Sequence, residues 1–206
     1  MESTVRLFNA ALGRLGGEQL PLNISSLEDN TLGILCQNVF PHVLDLTLDA
    51  HDWSFALKRV DLARLTPQSS ENRNYRFRFK LPSESVRSVR LEGVAGVNRS
   101  PAYIIEEDAI LTNSKEASLV YVARITEPRR WPPKFADALI WKMAAELCSA
   151  RNNDLRKQME CEQAYEVSLS KAVAADRVKQ NRRPAASTWS VARGNVRPRR
   201  DLSERE

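Results

Sequence analysis

Histidine is nearly absent, with two in 206 residues, His42 and His51. Metal ligands on one helix face stand three or four positions apart, and this pair is nine apart, so no metal centre is expected. His51-Asp52 would make an oriented base only beside a placed nucleophile, and the sequence places none. Trp53 next in line points instead to packing or a helix-end cap, so neither catalysis nor a cofactor is expected. Cysteine is scarce and odd in number. Cys36, Cys148 and Cys161 have no paired spacing and two fall in helical patterns, which reads as reduced core thiols in a reducing cytoplasm. The pair Gly16-Gly17 lacks a following lysine-serine and reads as a turn, not a phosphate loop. No run approaches the roughly 18 apolar residues of a membrane span. The start, Met1-Glu2-Ser3-Thr4-Val5-Arg6, has an early acid and no apolar stretch, so no secretion signal is expected.

What is present is ordinary globular material: 42% apolar and 28% charged residues, enough for one substantial domain or a domain with an insertion. The net charge of +5 is unevenly spread. Residues 180–206 hold seven arginines against three acids, which leaves the body nearly neutral.

Residues 4–15 read as a short helix, with Val5, Leu7, Phe8, Ala11, Leu12 and Leu15 apolar and glycine as the stop. The stretch 28–65 reads as an amphipathic helix, with Leu32, Leu35, Cys36, Val39, Val43, Leu46 and Ala50 at three-and-four spacing. Asp29 or Asn30 caps it, and Pro41 is expected to kink it or split it after Phe40. It ends in Asp49-Ala50-His51-Asp52-Trp53-Ser54-Phe55-Ala56. A second apolar set follows, Trp53, Phe55, Ala56, Val60, Leu62 and Leu65, with Lys58, Arg59, Asp61 and Arg64 outside. This segment reads as an anchor.

A period of two takes over after residue 66. Tyr75, Phe77, Phe79 and Leu81 alternate with Arg76, Arg78 and Lys80; Val89 and Leu91 alternate with Ser88, Arg90 and Glu92. Further strands are expected at 102–106, 109–112 and 118–125, joined by turns at Glu107-Asp108 and Asn113-Ser114-Lys115. Five strands without intervening helices imply a small antiparallel sheet. Pro128, Pro132 and Pro133 then lead into a helix with Phe135, Leu139, Met143, Ala144, Leu147 and Cys148 on one stripe. Asn152-Asn153 breaks it, Asp154 caps the next, and Leu155, Met159, Glu162, Tyr165, Leu169, Ala172 and Val173 mark a long surface helix to about 178, with a face free for a neighbour in an oligomer. The fold class is therefore α+β: a bundle of about four helices (1–65 and 128–179), an inserted antiparallel sheet (66–127) and an extended basic arm (180–206).

The arm is too polar to fold alone. It reads either as a loose basic tail with no fixed partner or as a segment that orders on one, with Trp189 as apolar anchor and Arg182, Arg183, Arg193, Arg197, Arg199 and Arg200 pairing to acidic groups; the second reading is the one expected. Two other sets carry a functional reading beside a plainer one. Glu106-Glu107-Asp108 holds the charge for a divalent cation, but in a hairpin it is more often a solvated turn. Arg76, Arg78 and Lys80, with Arg87 and Arg90, would neutralise phosphates along one sheet face, but the aromatics of that strand point the other way, which argues against base stacking.

Several pieces in order, Asn9-Ala10-Ala11-Leu12-Gly13, then His51-Asp52-Trp53-Ser54-Phe55-Ala56 and Leu62-Ala63, then Leu81-Pro82, Leu119-Val120-Tyr121 and Phe135-Ala136-Asp137-Ala138-Leu139, carry a family resemblance. In order and spacing the set, over roughly 4–176, resembles the tail tubular protein A family of short-tailed bacteriophages, the head-to-tail adaptors. The resemblance implies a helical part that meets the portal protein, a sheet part that faces the tail nozzle (a tail tubular protein B-like protein), and an arm that reaches along the portal. It further implies a ring of twelve copies in the virion, assembled in the host cytoplasm, that seals the packaged head and lets the genomic DNA leave through a central channel without sequence-specific binding. The alternative from composition is a nucleic-acid-binding module using the basic arm and the cationic strand 75–81.

Overall fold

The structure is a computed structural model that describes residues 2–21, 27–65, 74–92, 101–152 and 154–180. Helix α1 (Glu2–Arg14) follows its apolar spacing and buries Val5, Leu7, Phe8, Ala11 and Leu12. Gly16 supplies the stop: its φ is +68° and the Gly17 N–H donates back to the Leu12 carbonyl at 3.2 Å, a backbone path that glycine adopts without strain. Buried Asn9 then ties down the connector by exchanging two 2.7 Å hydrogen bonds with the backbone of Leu20.

Helix α2 (Thr31–Asp49) starts at Asn30, whose side-chain oxygen accepts from the N–H groups of Leu32 (2.8 Å) and Gly33 (3.3 Å). Gly33 has to be small, because a Cβ there would sit 2.4 Å from the Leu27 carbonyl oxygen. Pro41 does not split the helix. Both Pro41 and Gln37, whose carbonyl loses its donor, are exposed, so water is at hand for the orphaned group. The helix expected over 28–65 ends at Asp49, and residues inside that stretch form strand β1 (Leu57–Asp61). Strand β1 escaped the periodicity because it is an edge strand with Lys58, Arg59 and Asp61 on it, and it gains its order from pairing with a central strand.

The remaining strands are β2 (Phe77–Lys80), β3 (Ser85–Glu92), β4 (Tyr103–Glu106), β5 (Ala109–Thr112) and β6 (Ser118–Ala123). They build two three-stranded antiparallel sheets where one was expected, in the orders β1-β6-β3 and β2-β5-β4. The chain leaving β1 stitches them together: Arg64 bridges to Phe79, the Leu65 N–H donates to the Arg78 carbonyl at 2.8 Å and the Lys80 N–H to that of Ala63 at 2.9 Å. The central strands are the most apolar, with all of β5 and residues 119–123 of β6 buried, as expected where both faces are covered.

Helix α3 (Pro133–Asn152) is the hub: it packs on α1, α2 and helix α4 (Leu155–Gln180), burying Phe135, Leu139, Met143, Ala144, Leu147 and Cys148 as expected. Helix α4 starts at Asp154, whose carboxylate accepts from the Lys157 N–H at 3.1 Å. Its expected stripe is found at Tyr165 and Ala172, with Leu169 and Val173 half-buried against the core, but not in the first turns. Cys161, Tyr165, Ser168, Ala172 and Asp176 face inward, while Leu155 and Met159 are 66% and 63% exposed. Small residues let the two helices approach closely, and the polar ones find partners: Ser168 donates to Asp137 at 2.6 Å. Lys142 binds Glu162 (2.7 Å) and Glu146 (3.1 Å); burial opposes its charge, but these hydrogen bonds prevail and hold its pKa above the ordinary lysine value.

Aromatic rings run through the interior without a break. Phe8 contacts Phe40 (5.6 Å between centroids), Phe40 Trp131 (6.2 Å), Trp131 Phe135 (5.9 Å), and Phe135 both Trp53 (5.0 Å) and Phe55 (4.9 Å). Both buried indole N–H groups have acceptors, Trp53 at the Thr47 carbonyl (2.9 Å) and Trp131 at that of Ile125 (2.8 Å). All three cysteines are free and buried, and burial pushes the Cys36 thiol up to about 11. Between helices and sheets, Arg124 grips Asp45 through two hydrogen bonds of 2.6 and 2.5 Å.

Trp53 is 1% exposed, so Trp53→Ala is expected to cost about 3–5 kcal/mol in urea unfolding; an unchanged midpoint would remove the ring line as the source of stability. Burial and the hydrogen bond to Glu84 (2.6 Å) push the Tyr121 phenol up to about 12. A raised folded pKa means that this stabilisation is complete below the ordinary value of 10 and lost as pH rises from 10 towards 12. Tyr121→Phe is accordingly expected to abolish the latest phenolate absorbance in an alkaline titration.

Candidate functional site

The arm residues singled out for partner binding, Arg182, Arg183, Trp189, Arg193, Arg197, Arg199 and Arg200, lie outside the described residues. The other candidates take ordinary places. His42 is exposed on α2, and His51 is half-buried beyond its end. No group of three side chains fit to hold a metal forms among the described residues. Glu106, Glu107 and Asp108 are exposed at the β4–β5 turn, where Glu107 adopts φ +52° and pairs with Arg78 at 3.1 Å. Of the cations considered for a nucleic-acid path, Arg78 is matched by Glu107, Arg87 by Asp52, and Arg90 by Glu92 at 3.0 Å. Glu92 also binds Arg59 at 2.9 Å. Arg59 and Arg90 thus share one carboxylate, and exposed Arg76 and Lys80 stand outside these pairs.

The most elaborate polar cluster lies where the last turn of α4 meets the anchor segment after α2. Asp176, 4% exposed, accepts from the Ser54 N–H (2.9 Å), the Ser54 hydroxyl (2.5 Å) and the Gln180 amide (2.9 Å). Gln180 donates in addition to the Asp52 carbonyl at 2.6 Å. A buried carboxylate is costly unless hydrogen-bonded, and three donors here satisfy it. Sequence periodicity missed Asp176. Its only signal was position: it continues the line Cys161, Tyr165, Ser168, Ala172 by one more step of four, on the side of the helix that has to be covered.

His51 completes the group, with its Nε2 3.5 Å from Asp176 Oδ2 and its ring edge-on to Trp53 at 5.1 Å. Serine, histidine and aspartate thus meet in space, but not as a nucleophilic triad. In a triad the imidazole takes the serine proton and the carboxylate orients the imidazole. Here the Ser54 hydroxyl donates to the carboxylate itself, and the His51 Nε2 has no hydrogen-bond partner. The acceptor of the Ser54 proton is thus the carboxylate and not the imidazole. The arrangement is a clasp that fixes the end of α4 to the anchor.

Beside the clasp a pocket of about 260 Å³ opens between the start of α3 and the end of α4. Trp53, Pro132, Pro133, Phe135, Ala172 and Ala175 wall it; Asp176 adds a carboxylate, and exposed Lys134 and Lys179 stand at the rim. Small-molecule sites run from about 300 to 1,000 Å³, so this one is sized for a single apolar side chain. Set against known proteins, the chain matches no family model, and no curated protein is similar to it in sequence.

Removing the carboxylate by Asp176→Ala leaves the Ser54 N–H without its acceptor and is expected to cost about 2–3 kcal/mol in urea unfolding. Asp176→Asn, which keeps one acceptor oxygen, is expected to lose less. Equal stability of Asp176→Ala and the parent chain would show that the clasp holds nothing.

Proposed function

We propose that the protein is the head-to-tail adaptor of a short-tailed bacteriophage. It assembles as a ring, expected at twelve copies, beneath the portal protein, seals the packaged head, carries the tail nozzle and leaves a channel for genome ejection. The observation that carries this reading is the two-sided character of α4. One side is packed on α3; away from it, by the turn of an α-helix, stand Met159, Val167 (55% exposed) and Val178 (62% exposed), with Leu155 exposed at the helix start. Four large exposed apolar residues along one helix give a neighbouring subunit apolar surface to cover. They fit a subunit that meets its neighbour through a heterologous contact which closes by rotation.

The order of sequence pieces that resembles the adaptor family supports the same reading, as do the α+β body and the position of the basic segment beyond the last turn of α4. Many modest contacts in a ring add up to tight attachment. The ion pairs of Arg78 with Glu107 and Arg87 with Asp52 weaken the nucleic-acid alternative at those two positions, since binding to phosphate would first have to break them.

Electron microscopy of the protein mixed with purified portal is expected to show a ring on one portal face. Removing residues 181–206, which spares the Gln180 contacts, is expected to leave a folded body by circular dichroism that no longer docks. Docking by the truncated chain would refute the arm assignment. Steeply salt-dependent DNA binding without ring formation would overturn the adaptor reading itself.

A further inference from the structure

We propose that free copies of the protein pair two-fold and antiparallel through the outward face of α4, so that the partner on this face is a second copy of the same chain. By the turn of an α-helix, Met159, Gln163, Val167, Ser170, Ala174 and Val178 lie within an arc of about 100°. All six are exposed and none carries a charge. The arc is centred about 170° from the inward line of Cys161, Tyr165, Ser168, Ala172 and Asp176, so it points away from α3. An uncharged stripe of this width is what a helix turns towards a packing partner.

The occupant follows from the order of residues along the stripe. Read backwards about the midpoint between Ser168 and Leu169, the stripe meets itself: Val167 falls opposite Ser170, Gln163 opposite Ala174 and Met159 opposite Val178. Two of these levels set a longer side chain against a short one, which lets the helices approach closely, and the third joins two apolar residues. The exposed charges beside the stripe reverse in the same way. Glu166 comes to the level of Lys171, and Glu160 to that of Arg177, so each of these acids has a base at its height on the other copy. Glu160 is already held by Arg156 (3.6 Å) and Lys157 (3.3 Å), but Glu166, Lys171 and Arg177 make no ion pair among the described residues. A parallel pair in register would set Glu166 level with Glu166 and Lys171 with Lys171, which like-charge repulsion opposes. Gln163 and Val167 also edge an open groove of about 460 Å³ between α3 and α4, where Trp141 stands half-buried, and this gives the second copy more to cover than one helix. A single helix face is still small against the roughly 1,200 Å² of a stable complex, so the pair opens on dilution. The pairing does not depend on the adaptor reading. Its use does: an isologous pair hides the face that a heterologous ring contact needs, and so keeps free copies from closing a ring until the portal gathers them.

Sedimentation equilibrium of the full chain without portal is expected to show monomer and dimer in exchange. Lys171→Glu sets acid level with acid twice in the pair and is expected to weaken dimerisation about tenfold, with the helical circular dichroism unchanged. Adding Glu166→Lys to it exchanges the two charges and is expected to restore the parent affinity. Orientation is read with a short bis-maleimide, since the three native cysteines are buried. Met159→Cys mixed with Val178→Cys is expected to cross-link; Met159→Cys by itself is not, because its two copies stand roughly 28 Å apart in the antiparallel pair. A chain that stays monomeric at every concentration overturns the proposal. So does a dimer indifferent to Lys171→Glu, a double variant that stays weak, or cross-linking of Met159→Cys to itself. Closed rings formed without portal would overturn the two-fold pair and leave the adaptor reading standing, whereas a dimer confirmed by the cross-links that forms no ring on the portal would do the reverse.

Discussion

The contact on which the rest depends is the packing of Phe135 against Trp53, Phe55 and Trp131. Phe135 has no exposed surface, and its three ring neighbours come from two distant parts of the chain: Trp53 and Phe55 from the anchor after α2, and Trp131 from the approach to α3. Edge-to-face rings at 4.9 to 5.9 Å add directional attraction to the burial of large apolar area. Because Trp53 and Trp131 also give their N–H groups to backbone carbonyls, the cluster fixes main-chain paths as well as side chains. Strand β1 begins two residues after Phe55, so the direction in which the chain enters the sheets is set here.

The clasp at Asp176 ties the end of α4 to that fixed point. A helix of 26 residues frays at its last turn unless something holds it. Here the hold comes from the anchor segment itself, through Ser54 and the Asp52 carbonyl. One consequence is chemical. The serine proton is directed at a carboxylate and the imidazole is left beside it, which makes the group a structural lock. The other is geometric: the same elements frame an apolar pocket at the point from which the basic segment departs.

Much of the fold was legible locally. The caps at Asn30 and Asp154, the glycine stop of α1, the strand alternation around Phe77 and Phe79 and the apolar stripe of α3 each follow from one residue type or one period, and each is found in place. Where the reading failed, the deciding partner was distant in sequence. Leu155 and Met159 look like core on hydrophobicity alone, but they are exposed, and the inward line of α4 begins at Cys161 and takes in polar Ser168 and Asp176. For the candidate site less was visible: Asp176 carries no motif, and the segment with Trp189 could be characterised only by composition.

What the sequence by itself determined is the class of material: four helices of stated period, short strands in a block between them, free thiols, and a basic tail of a different composition from the body. These depend on neighbours a few residues apart, and such neighbours share local geometry. Only the tertiary structure decided that the strands divide into two sheets, that charged residues 57–61 are an edge strand and not more helix, and that Ser54, His51 and Asp176 meet as a clasp. Those outcomes rest on contacts across up to 128 positions, where the free energy of burying a face or satisfying a buried charge, and not local preference, selects the arrangement.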